Sequence, residues 1–162
     1  MSKLTKRTFQ LGLRLSAALA RSPFHGLTEA AMAALARLTV GLRKGRHQET
    51  LGAVAREWQR MFPSRRMVPI VEETEDTVIA EIHARCPLRG TGDAHACYRM
   101  MAYDRKMLGA LGGQLVVLES QSVTGEGPCR VALRAAGAPL DDLVPAHQPA
   151  SRAPTKQPRA QV

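Results

Sequence analysis

Thr77-Val78-Ile79-Ala80-Glu81-Ile82-His83-Ala84-Arg85-Cys86 is the stretch on which the fold turns. Val78, Ala80, Ile82, Ala84 and Cys86 fall on one side of an extended chain, and Thr77, Glu81, His83 and Arg85 on the other. That period of two predicts a strand with one dry face. From Met67, Val68 and Ile70 begin the same period, and the acidic run Glu72-Glu73-Thr74-Glu75-Asp76 reads as the solvated tip of a hairpin. The expected strands are therefore 67–73 and 77–86.

Working downstream, Asp93 can cap a helix over 93–110 that Gly112-Gly113 ends. Strands over 114–121 and 128–135 follow, around the turn Thr124-Gly125-Glu126-Gly127-Pro128. Upstream of Met67 the period is helical. Helices are expected over 3–20, over 27–43 with Thr28 as cap, and over 48–61, which Pro63 ends. The fold class is α+β: N-terminal helices, then an antiparallel four-stranded sheet with one helix between two hairpin-like strand pairs. Residues 1–66 form a basic helical part packed on the sheet, 67–137 an α+β ligand-binding part of the same domain, and 138–162 a disordered Pro/Ala-rich tail.

The charge is uneven. Residues 1–66 hold 13 basic and 3 acidic side chains, against 7 and 9 in residues 67–137, so a basic surface belongs to the helices alone. In the first helix Leu4, Phe9, Leu11, Leu13, Leu15, Ala18 and Leu19 read as the packed side, and Lys3, Lys6, Arg7, Gln10, Arg14 and Arg21 as a solvated basic side. Arg14 interrupts what would be the apolar run of a targeting signal. An anionic membrane surface or an acidic protein are the partners this helix suggests. With 4% aromatic residues a base-stacking platform is not expected, which makes nucleic acid a weaker candidate. Three cysteines at irregular spacings suit free thiols and a cytoplasmic location.

The thiols carry the expected chemistry. Cys129 alternates with Val131 and Leu133 and so faces the core, Cys86 shares the dry face of its strand, and Cys97 stacks with Asp104 along one helix side. Two uses are open. Soft thiolates of Cys86, Cys97 and Cys129, with Glu119, His95 or His83 as a fourth donor, could hold zinc or iron. Alternatively Cys97 or Cys86 acts as a nucleophile, with His95 or His83 as base and Asp104 orienting the imidazole. No phosphate-cradling loop, dinucleotide fingerprint or HExxH is present.

The segment Arg85 to Arg134 adds a resemblance. RCPLRG, then Cys97 early in a helix, a Gly-Gly break, VVLES and GEGPCRVALR together resemble the 4-vinyl reductase domain and the L-2-amino-thiazoline-4-carboxylic acid hydrolase-like proteins. The resemblance implies helices on one side of an antiparallel sheet and a pocket for a hydrophobic or heterocyclic small molecule. The family's metal-binding Glu and following Cys would fall on Glu119 and Ser122, and its last Cys on Cys129. Ser122, Glu126 and Val131 depart from that pattern. The expected function is a small-molecule-binding protein with a cysteine-lined pocket, with hydrolysis of a heterocyclic or hydrophobic ligand as its enzymatic form. The alternative is a basic adaptor binding an anionic membrane surface, nucleic acid or an acidic protein, and either could be oligomeric.

Overall fold

A computed structural model describes residues 3–23 and 25–147. The expected tail beyond 147, Phe24 in the first turn and the side chains of Lys3, Leu4, Lys6 and His25 lie outside the described residues. The elements run α1 (Lys3–Ala20), α2 (His25–Leu42), α3 (Leu51–Arg60), a 3-10 turn (Arg65–Met67), β1 (Ile70–Glu73), β2 (Val78–Ile82), α4 (Ala94–Met100), α5 (Ala102–Leu111), β3 (Gly113–Glu119), α6 (Gln121–Thr124) and β4 (Cys129–Ala135). The fold is α+β, with the N-terminal helices preceding an antiparallel four-stranded sheet of order β1-β2-β4-β3.

Register explains the core. Val78 pairs with Leu133 and Leu133 with Leu115, while Ala80 pairs with Val131 and Val131 with Val117. All six are buried and share the face covered by α3 and α5, the dry face that alternation demanded. The outward row Glu81, Arg130 and Glu119 carries charge. In α3, Leu51, Val54, Ala55 and Trp58 turn inward at steps of three and four. Helices α1 and α2 then pack over α4 and α5 as a further layer.

Several boundaries differ from expectation for local reasons. The expected helix 93–110 is two helices, parted at Met101, where φ −70° and ψ −4° relax the turn while Met101 N still donates to Cys97 O at 2.9 Å. Asp93 caps it as expected, accepting from Ala96 N at 2.8 Å. Helix α2 begins before Thr28, whose hydroxyl instead donates to Leu19 O at 2.9 Å. Strand β2 stops at Ile82, opposite Cys129, where its partner β4 begins. Cys86 therefore sits in a loop. Residues 138–147 do not hang free: Ala146 N donates to Val117 O at 2.8 Å along the β3 edge, and Arg134 reaches Asp142 at 2.5 Å.

The junction of α5 and β3 is a tight point of backbone approach. Gly112 has φ +102°, a left-handed value, and a Cβ there would lie 2.7 Å from Gln48 O; one on Gly113 would meet Arg134 O at 3.0 Å. Gly112→Ala should lower stability by about 1–3 kcal/mol through backbone strain and the forced shift of the 45–50 loop. Urea unfolding checks this, and an unchanged midpoint would contradict it.

Candidate functional site

A cavity of about 220 Å³ lies between α1 and the body of the domain. Phe9, Gly12, Leu13 and Ser16 of α1 and Met32 and Leu35 of α2 form one wall, and Cys97, Met100, Met101, Tyr103 and Asp104 another. Ile82, Ala84, Cys86, Pro87, Gln121 and Cys129 close it from the sheet side. The lining is mainly apolar and rich in sulfur: all three cysteines and three methionines reach it.

Each thiol is engaged locally. Cys97 Sγ lies 3.2 Å from Ser120 Oγ, itself 2.8 Å from Ser122 Oγ. Cys129 Sγ accepts from Gln121 N at 3.3 Å, and Cys86 Sγ from Leu88 N at 3.4 Å. All three are free thiols. Burial pushes the Cys86 thiol up and that of Cys129 to about 11, which favours the protonated form.

The loop that carries Cys86 is held by one amide. Buried Gln121 accepts at Oε1 from Cys86 N at 3.2 Å and from Arg89 Nε at 3.0 Å, and donates from Nε2 to Ile82 O at 3.2 Å and Ala84 O at 3.0 Å. Its backbone carbonyl takes Gly90 N at 2.9 Å. Gln121 thus takes up backbone groups beyond the end of the β2–β4 ladder, and Cys86 reaches the cavity although it left the strand. The run Ser120-Gln121-Ser122 carried a readable signal, a Ser at the start of a short helix, with Ser120 accepting from Ser122 N at 3.1 Å. Nothing in the sequence pointed to a loop clip.

Asp104 faces the cavity beside Trp58, whose Nε1 donates to it at 3.3 Å. Burial raises its carboxyl to about 6, against the smaller opposing effects of the Trp58 hydrogen bond and the Arg105 charge. Tyr103 donates from its hydroxyl to Thr39 Oγ1 at 2.9 Å, tying this wall to α2.

The structure thus gathers Cys86, Cys97, Cys129 and Asp104 around one cavity and leaves the other expected residues out. Alternation from Val117 would put Glu119 inside, but a bulge between Val117 and Glu119 turns it outward, where Arg130 Nη1 donates to it at 3.3 Å. His95 is exposed; two residues before Cys97 it projects about 200° away around the helix. His83 pairs with Glu81 at 2.8 Å on the exposed side. Among the described residues no histidine lines the cavity, so the expected thiol–imidazole arrangement does not form there, and Asp104 orients an indole instead of an imidazole. Among the described residues no group of three His, Cys, Asp or Glu is placed to hold a metal ion. The donor set for zinc or iron does not fit.

No family model, curated protein or solved structure matches the chain.

Asp104 gives this site a pH signature. Its folded-state pKa lies above the ordinary 3.8, so the folded protein holds a proton that the unfolded chain releases, and stability falls as pH rises through about 6. The cost of ionising it is roughly 3 kcal/mol. Asp104→Asn keeps an acceptor for Trp58 and cannot ionise. Relative to wild type it should gain roughly 2–3 kcal/mol between about pH 4 and about pH 8. Urea unfolding across that range checks this, and a pH-independent difference would contradict it.

Proposed function

We propose that the chain binds one small, neutral, flat or aliphatic molecule in the cavity beneath α1, and that it acts as a binding protein. The observation that carries this reading is the cavity's lining: apolar, built from many separate elements, and bearing six sulfur-containing side chains. Thioethers and thiols are polarisable and pack well against aromatic edges. The volume exceeds the roughly 150 Å³ known to accept benzene, leaving room for a ring with a short substituent.

The same lining argues for binding over hydrolysis. A nucleophilic thiol needs a base or a positive field, and among the described residues no Lys, Arg or His lines the cavity. A buried carboxylate would meet no cation among the described lining residues, which disfavours an acidic heterocycle of the kind the thiazoline-carboxylate hydrolase resemblance implies. What the resemblance contributes to this proposal is the pocket for a hydrophobic or heterocyclic molecule, without the metal or the hydrolysis.

Calorimetric titration with neutral substituted benzenes and indoles should show saturable one-to-one binding, weaker by roughly tenfold or more for the matching carboxylates. Ser16→Phe, which fills the cavity from α1, should abolish it while the melting temperature is kept. In the same preparation iodoacetamide at neutral pH should alkylate Cys129 about a hundredfold more slowly than an ordinary cysteine, the consequence of a pKa raised from 9.0 to about 11. Absence of saturable binding across the series, or rapid alkylation of Cys129, would defeat the proposal.

A further inference from the structure

Helix α1 has two apolar sides. Phe9, Leu13, Ala17 and Ala20 turn toward the domain, while Leu11 and Leu15 stand 58% and 63% exposed. The expectation that all the leucines pack inward is therefore corrected: the body of the domain occupies the Phe9–Leu13 side, and the Leu11–Leu15 side is left outward. Arg7 and Arg14 flank that outer stripe, both exposed. Helix α2 is alike. It is apolar nearly all round, the pattern of a helix buried on every side, yet among the described residues nothing covers the side bearing Leu38 and Leu42, which are 57% and 75% exposed. The two helices pack on each other, so their outward leucines add up to more than the scattered apolar residues of an ordinary surface.

Charge selects the occupant. Residues 1–46 carry nine basic side chains and one acidic, Glu29. A second copy docked face to face would bring Arg7 and Arg14 against their own counterparts, and a nucleic-acid backbone would leave the leucines unused. A surface that is anionic at its headgroups and apolar just beneath satisfies both features. No helix among the described residues is long and apolar enough to cross a membrane, which fits a helix pair that lies in the interface. The cavity supplies an independent observation. Gly12 and Leu35 line it and are themselves exposed, so its mouth opens between α1 and α2 on this same side.

We propose that the outer face of α1 and α2 rests on an anionic bilayer, with Leu11, Leu15, Leu38 and Leu42 in the interface and Arg7 and Arg14 against the headgroups. An apolar molecule dissolved in the lipid then reaches the cavity mouth without crossing water. The docking depends on the two helices and not on the cavity's occupant, so it is tested apart from ligand binding.

The test is co-sedimentation of the full chain with phosphatidylcholine vesicles, with and without phosphatidylserine. The chain should sediment with the phosphatidylserine vesicles and stay in solution with phosphatidylcholine alone, and salt raised to about 0.5 M should weaken the association. Arg7→Glu with Arg14→Glu should lower partitioning by roughly tenfold or more. Leu11→Asn with Leu15→Asn should do the same, as should Leu38→Asn with Leu42→Asn on the other helix, at unchanged melting temperature. With two independent leucine pairs, loss of fold in one leaves the other to report. Wild-type protein that ignores phosphatidylserine vesicles would overturn the proposal. So would leucine and arginine pairs that sediment like wild type, or a dimer in solution that the leucine substitutions dissolve.

Discussion

One buried amide holds the cavity together. Strand β2 has no β4 partner past Ile82, since β4 begins at Cys129, and the chain leaves the sheet with carbonyls to satisfy inside the protein. Gln121 answers with both ends of its side chain, taking the Cys86 N–H and Arg89 on its oxygen and giving its nitrogen to Ile82 and Ala84. The loop is thereby bent under α1 instead of running on as a strand. Cys86 and Pro87 become cavity wall, and Arg89 goes on to the Gly127 carbonyl at 2.9 Å, which fastens the turn before β4 to the same point.

Around this clip the polar groups settle among themselves and leave the cavity apolar. Ser120, Ser122 and the Cys97 thiol form a chain of short contacts, and Asp104 is taken by Trp58, which also packs edge-on against Phe62 with ring centres 5.0 Å apart. The carboxyl near pKa 6 is a strained group: burial is only partly offset by an indole hydrogen bond. Such an interior is suited to holding a neutral molecule and ill suited to generating a thiolate. We propose that binding is its role, and that the leucine face beside its mouth sets where the ligand comes from.

Much of the architecture was readable because it obeys simple periods. Alternation through Val78 and Ala80 and through Val131 and Leu133 located the central strands, and the three- and four-residue steps through Leu51, Val54 and Trp58 located α3. Cys97, Asp104 and Cys129 were placed correctly for the same reason. The misplaced residues sit where a period breaks. A bulge inverted Glu119, the start of β4 at Cys129 shortened β2, and a 200° step on α4 sent His95 to solvent. Helix α1 misled in another way. Its leucines form two stripes, and periodicity does not say which one a domain will bury. Neither the Gln121 clip nor the Trp58–Asp104 pair has a local signature, since each joins segments far apart in the chain.

We propose that a small apolar molecule resides in the cavity, and methionine methyl groups report on that directly. Met32, Met100 and Met101 line the cavity, while Met61, Met67 and Met107 do not. In a methyl correlation spectrum of the full chain labelled at methionine, titration with indole should shift Met32, Met100 and Met101 together along one saturation curve and leave Met61, Met67 and Met107 in place. Shifts confined to Met61, Met67 or Met107, or no saturable shift at the three lining methyls, would contradict it.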